Sequence, residues 1–476
     1  MLRLLNYTPN LALLGFGLLV ACFFSLVFSN IGTLVLYVEV FGLMSLVVWI
    51  SFGRREDSGI IYKLYSISIF GSALAFFVTN LFFELNYGFA GAANDELKFY
   101  NWISSAVLEH SIYSDFEFLR KRYAGYQYPV FYLSQIPLLF GEFDIYMIKY
   151  VSHFALVPIP LFCYFIIRSR FGEKFAFRIA ALSVFAMPTV SYYGSVGVRD
   201  IFFTAALCGF FCLLVCKVKA ITKLFLYVLL IGFVYSIRPE SALFMVGALM
   251  AYYLIVGVAA RTFFKVGLSI SVILLGGVVL IAYSVFFDNL LILFWEIYQN
   301  YDQMALNITR SEAFIRSLPV PLDLAILGAY GLGGTFPPEL AFRSPFVFNS
   351  VIEIQDSGEI VWLSKNLPVD FGRILKVVGQ VIWYFLLPYM LLGVFARAVR
   401  SALGIRLTAL LLVGFIYILT ISQFSFELGR LHAPYPIMIA IGLSVATIVP
   451  SRARTRVSLL TVFCLMILYL VYYSIT

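Results

Sequence analysis

Residues 91–100, "GAANDELKFY", set two carboxylates side by side, Asp95 and Glu96, in a chain with only 12% charged residues. A carboxylate within hydrogen-bonding reach of a hydroxyl can take its proton as the oxygen attacks. The structural alternative is a helix start, with Asn94 as cap and the two acids in a first turn that favours negative charge. Cations that could neutralise a phosphate recur elsewhere: Lys149, Arg199 in "GSVGVRD", Arg238 in "SIRPE", and Arg430 with His432 in "FELGRLHAPYP". Each has a structural alternative too. Arg199 can pair with Asp200 at a helix start, Arg238 can anchor an interface beside Glu240, and Lys149 is expected to snorkel toward water. The run Arg120, Lys121, Arg122, with Tyr128 close behind, suits lipid head groups or a solvated face.

The elements that must position these residues are membrane spans. Hydrophobic residues make up 62% of the 476, and mean hydropathy is +0.95. Apolar runs of about 20 residues suit helices that cross a bilayer, whose backbone must be satisfied internally. About thirteen such runs are read by this length rule, near 10–29, 32–51, 63–84, 144–167, 179–196, 201–216, 222–237, 241–259, 266–287, 374–396, 406–424, 433–450 and 457–474. Every even-numbered run ends in a short basic loop, among them Arg54–Arg55, Arg168–Arg170, Lys217–Lys219, Arg397–Arg400 and Arg452–Arg456. The positive-inside rule puts those loops, and the N-terminus, in the cytoplasm. The net charge of +8 thus serves orientation, and nucleic acid is not an expected partner.

The expected fold is an all-α polytopic membrane protein with two large extracytoplasmic loops. Residues 1–62 form two N-terminal spans, and 63–287 a core with a first outer loop at 85–143. Residues 288–373 form a second outer loop and 374–476 the C-terminal spans. Long loops on one face usually carry function. Within the first, "YQYPVFYLSQIPLLFGEFD" (126–144) is too short to cross and reads as an interfacial helix. Cys208, Cys212 and Cys216, at spacing four, are expected to be packing residues rather than a metal or redox stripe. No zinc motif is present, and "GLGG" follows no strand, so it is not a nucleotide loop. Glu39 lies inside a span without an evident partner.

The order and spacing of "NDE", the Tyr- and Pro-rich 126–144 segment, "YFIIRSRFGEK", "FAMPTVSYYGSVGVRD" and "GFVYSIRPESALF" over residues 64–260 resemble the GT-C superfamily of membrane glycosyltransferases. The likeness is to the group holding protein O-mannosyltransferases and the aminoarabinose transferase. The resemblance implies transfer of a sugar from a polyprenyl-phosphate or polyprenyl-diphosphate carrier to a lipid, glycan or protein acceptor, with inversion, in cell-surface glycan assembly. It implies Asp95 as base, with Glu96 as second choice; Arg199, Arg238, Arg430, His432 and Lys149, on the same expected face, are the candidate groups for the donor phosphate by their chemistry. Arg120, Arg122 and Tyr128 are loop contacts in this reading. No cofactor is required, although a divalent cation (Mg or Mn) at Asp95 and Glu96 stays open, since some relatives with diphosphate donors use one. The expected setting is a bacterial inner membrane with the active face periplasmic.

Two other functions compete. An O-antigen or oligosaccharide repeat-unit polymerase shares the many spans, the two outer loops and the lipid-diphosphate donor, but its Arg-x10-Gly loop motifs are missing. A lipid-linked sugar transporter or flippase would show internal repeats and midplane polar groups, and no repeat is found.

Overall fold

The structure, a computed structural model, describes residues 8–53, 55–87, 100, 103–104, 124–237, 239–259, 328, 331–332, 351–354, 360–363, 371–422 and 432–475. Sixteen helices occur among them. The first eleven are α1 Thr8–Phe28, α2 Ile31–Phe52, α3 Ser58–Tyr87, α4 Ala124–Ser134, α5 Ile145–Leu156, α6 Pro158–Arg168, α7 Glu173–Phe185, α8 Pro188–Ser195, α9 Asp200–Val215, α10 Ala220–Ile237 and α11 Pro239–Ala259. The rest are α12 Phe371–Phe395, α13 Arg397–Leu403, α14 Ile405–Ile421, α15 Tyr435–Ile448 and α16 Ser451–Ile475. One hairpin, β1 Val351–Ile354 paired antiparallel with β2 Ile360–Leu363, falls in the segment read as the second outer loop.

Helices coincide with twelve of the thirteen expected segments, and the other, 266–287, lies outside the described residues. Length and apolarity alone admit fewer crossings: among the described residues six helical segments meet both requirements, or eight if each of two bent pairs is one span. The bends have local causes. Pro188 cannot donate the hydrogen bond that would carry α7 into α8, and the chain turns by 60° there. Between α13 and α14 it turns by 109° through Gly404, whose φ of 77° suits a residue without Cβ. The segment expected to lie at the interface folds as α4 followed by a 3-10 turn at Pro137–Leu139, with Ile136, Leu139 and Phe140 exposed.

Two ends of the bundle differ chemically. At one end Asp57, its side chain 2% exposed, bridges Arg55 and Arg168, while Tyr164 also donates to it. Arg168 reaches Glu173 as well, and Arg170 donates to the carbonyls of Ser401 and Ala402 at the end of α13. Basic residues spaced far apart in the sequence therefore gather at one end, as the alternating loops require. The core between the ends is large and aromatic, with Trp383, Tyr146, Tyr150, Tyr164, Phe203 and Phe210 fully buried. With lipid outside, such packing is favoured mainly by close contact and interhelical hydrogen bonds.

Candidate functional site

The opposite end is built around α8, a short helix that packs against α3, α5 and α12. Its close approach to α12 needs a glycine. A Cβ on Gly379 would stand 3.0 Å from the Thr189 backbone nitrogen and nearer still to its hydroxyl. Thr189 also donates to the Lys376 carbonyl at 3.3 Å. At the end of α8 and just beyond it, Tyr192, Val196 and Val198 form a small apolar cluster with Tyr193 and Leu375, separate from the main core. That cluster holds the turn leading to Arg199 against the start of α12.

On one side of α8 lies Lys149. Asp144 caps α5 by accepting from the Tyr146 amide at 2.8 Å, so Tyr146 and Lys149 fall on one face, three residues apart. That face meets Asn80 and Glu84, four apart on α3. Lys149 Nζ donates to Asn80 Oδ1 at 2.5 Å and sits 5.5 Å from the centroid of the Tyr146 ring. Tyr146 donates to Glu84 Oε1 at 2.6 Å. The Asn80 amide in turn donates to the Ser195 carbonyl at 3.0 Å, linking the lysine to the end of α8. Burial pushes the Asp144 carboxyl above its ordinary range, against the Tyr146 amide, which draws it down. Lys149 has no exposed surface, so the expected snorkelling is corrected: Asn80 satisfies the ammonium inside the bundle, and nothing draws it to water.

On the other side of α8 lies a second basic centre that the sequence reading did not single out. Lys376 Nζ stands 4.3 Å from the Tyr192 ring centroid and 5.7 Å from that of Tyr193. His432, 3% exposed, lies tilted by 39° against the Tyr435 ring with centroids 3.9 Å apart, and Tyr435 lies parallel to Trp383 at 3.8 Å. Trp383 is pinned by its indole N–H, which donates to the Leu332 carbonyl at 2.8 Å. Neither ring nitrogen of His432 nor the Tyr435 hydroxyl has a hydrogen-bond partner among the described residues. Burial, with Lys376 adding to it, holds the His432 pKa down to about 3, so the ring is neutral at physiological pH.

Of the other candidates, Arg199 is 9% exposed and stands in the N-cap position of α9, its carbonyl accepting from the Phe202 amide at 3.2 Å. The structure thus brings Lys149, Arg199 and His432 to the same end of the bundle, around α8. Tyr128 lies on α4. Asp95, Glu96, Arg120, Arg122, Arg238 and Arg430 lie outside the described residues. Tyr100, four positions after Glu96, stacks on Phe143 at 5.9 Å, and Ile103 is fully buried in the core. Among the described residues no group of three or more His, Cys, Asp or Glu is placed to hold a metal ion.

The sequence reading missed Asn80, Glu84, Tyr146 and Lys376. A signal for the first three was present: an Asn and a Glu four apart, and a Tyr and a Lys three apart, each pair on one face of an apolar helix. Compared with protein-family models, with curated proteins and with solved structures, the chain matches none.

Proposed function

We propose that the chain is a membrane glycosyltransferase that moves a sugar or oligosaccharide from a polyprenyl-phosphate or polyprenyl-diphosphate carrier to an acceptor hydroxyl. The reaction takes place at the end of the bundle opposite the basic loops, which by the positive-inside rule faces out of a bacterial inner membrane. The observation that carries this reading is Lys149, a fully buried lysine at that end. An ionisable group inside a membrane bundle is costly and marks a functional site by default. A second cation, Lys376, flanks the same short helix.

In this reading Asp95 takes the proton of the acceptor hydroxyl as its oxygen attacks the anomeric carbon, with Glu96 orienting it. The bond from that carbon to the carrier phosphate breaks on the opposite face, so configuration inverts. The electron pair stays on the departing phosphate. Lys149, Arg199 and Lys376, with Arg238, Arg430 and His432 as further contacts, stabilise the charge that develops there. The docking of Tyr100 on Phe143, next to Asp144, supports a first loop whose carboxylates work beside Lys149. The thirteen-span plan with two outer loops, and the GT-C likeness of its core, belong to the same proposal.

The test is the surface-glycan profile of a strain lacking the gene, complemented with wild type or with Asp95→Asn. Units that lose the mass of one sugar, restored by wild type but not by Asp95→Asn, support the proposal. A ladder that collapses to a single repeat indicates polymerisation instead. An unchanged profile refutes both.

A further inference from the structure

The end of the bundle that carries the basic loops holds a chemistry that glycosyl transfer does not use. Cys212 lies in the last turn of α9, and Cys216 caps that helix, its amide donating to the Cys212 carbonyl at 3.0 Å. Their sulfurs stand 3.5 Å apart. Both are free thiols; Cys212 is buried and Cys216 half-buried, and the chain that follows, from Lys217 to Ala220, is exposed. Positive charge is brought to Cys216 by Lys223, Arg55 and Arg168. Lys223 is held there by donating to the Leu214 carbonyl at 3.2 Å.

We propose that Cys212 and Cys216 form a redox-active dithiol that a small-molecule disulfide oxidises to an intramolecular disulfide. Residues four apart on a helix have Cα atoms about 6 Å apart, inside the window of roughly 4.4–6.8 Å that a disulfide allows. The sulfurs must close to about 2.05 Å, which side-chain rotation at the frayed end of a helix can supply. Cys216 reacts first, being the more exposed and the closer to fixed cations. Its thiolate attacks one sulfur of the oxidant, forming a mixed disulfide and releasing one thiol. Cys212 then gives up its proton and attacks the Cys216 sulfur, releasing the second thiol. Two cysteine thiols are oxidised and one external disulfide is reduced to two thiols, so atoms and electrons balance. The other cysteines nearby are not placed for this. Cys163 is fully buried with its sulfur donating to the Pro436 carbonyl, and Cys208 is fully buried one turn further into the bundle.

The experiment uses the full chain in detergent, treated with oxidised glutathione, alkylated after denaturation and analysed by peptide mass spectrometry. The expected product is the tryptic peptide Asp200–Lys217 carrying one alkyl group, on Cys208, and two hydrogens lighter at Cys212 and Cys216, with fragmentation placing the link between those two and reversal by dithiothreitol. The link persists in Cys163→Ser and Cys208→Ser and is lost in Cys216→Ser. A link between Cys208 and Cys212 overturns the proposal. So does full alkylation of Cys212 and Cys216 after oxidation, or a lasting glutathione adduct on Cys216 that Cys212 never displaces. Because the readout begins with wild-type protein, failure of any variant to fold leaves the test intact, and none of its outcomes depends on glycosyl transfer.

Discussion

Replacing Lys149 by methionine separates what this residue does for the fold from what it does for chemistry. Its ammonium has no exposed surface and donates to Asn80, an arrangement in which attraction repays desolvation only in part. Lys149→Met keeps the length of the side chain and removes the charge, so stability should change by less than about 1 kcal/mol or rise, as for other buried charges replaced by apolar isosteres. Asn80→Leu does the opposite. It takes an acceptor from a buried cation and also ends the Asn80 bonds to the Ser195 and Phe76 carbonyls. A hydrogen bond to a charged group is worth about 1.5–3 kcal/mol and the carbonyl bonds somewhat less, so a loss of about 2–4 kcal/mol is expected. The double variant should recover at least about 1 kcal/mol of that loss, since no buried ammonium is then left short of its Asn80 acceptor. Unfolding in a single detergent, followed by loss of the monodisperse peak after heating, ranks the four proteins. On activity the order changes. Lys149→Met should lower turnover by about 10²–10³, the cost of removing one donor to developing charge, while remaining folded. A Lys149→Met protein that is strongly destabilised would make the lysine structural. One that is folded and fully active would remove it from the site.

Acid should act on the other side of α8. His432 is held neutral with a pKa near 3, while the unfolded chain takes a proton near 6.5. Its contribution is complete above pH 6.5 and is lost by about 1.4 kcal/mol per pH unit as pH falls from there toward 3; His432→Phe should flatten that part of the stability curve. For Asp144 the sign reverses. Its folded pKa is raised, so its contribution is greatest at acid pH and is lost as pH rises through the folded value. Asp144→Asn, which keeps a capping side chain, should therefore stabilise at neutral pH, whereas Asp144→Ala should lose about 1 kcal/mol with the cap. At the basic end, Asp57→Ala leaves Arg168 without its buried carboxylate. With Arg168 27% and Arg55 46% exposed, solvent screening reduces the cost to about 2 kcal/mol, visible as a lower unfolding temperature with transfer retained below it.

Much of the bundle was legible because hydropathy and charge report on single residues. Apolar runs marked the helices except α13, which lies where a short basic loop was expected, and the alternation of basic loops anticipated that Arg55, Arg168 and Arg170 would share one end. The bends were less legible. Pro188 and Gly404 are visible as breakers, but whether a broken segment crosses as one span depends on packing against α3, α12 and α15. Lys149 was misjudged for the same reason. Snorkelling is the behaviour of a lysine without a buried acceptor, and Asn80, sixty-nine positions away, becomes that acceptor only when α3 and α5 are packed. Lys376 went unnoticed because its neighbours Tyr192 and Tyr193 come from α8, and ring faces meeting a cation leave no mark in either local sequence. The cysteine stripe had the right spacing, but only the capping position of Cys216 shows which two sulfurs meet.

The central claim is that a lipid-linked sugar is consumed at the α8 end of the bundle. The most direct measurement takes the lipid extract of a strain lacking the gene, adds purified protein in nanodiscs with the glycan acceptor fraction, and follows lipid-linked sugars by mass spectrometry. A transferase consumes an accumulated polyprenyl-linked donor and releases the bare polyprenyl phosphate or diphosphate, and folded Lys149→Met leaves that donor intact. If wild-type protein leaves every lipid-linked sugar unchanged, or if Lys149→Met consumes the donor as fast as wild type, the claim is contradicted.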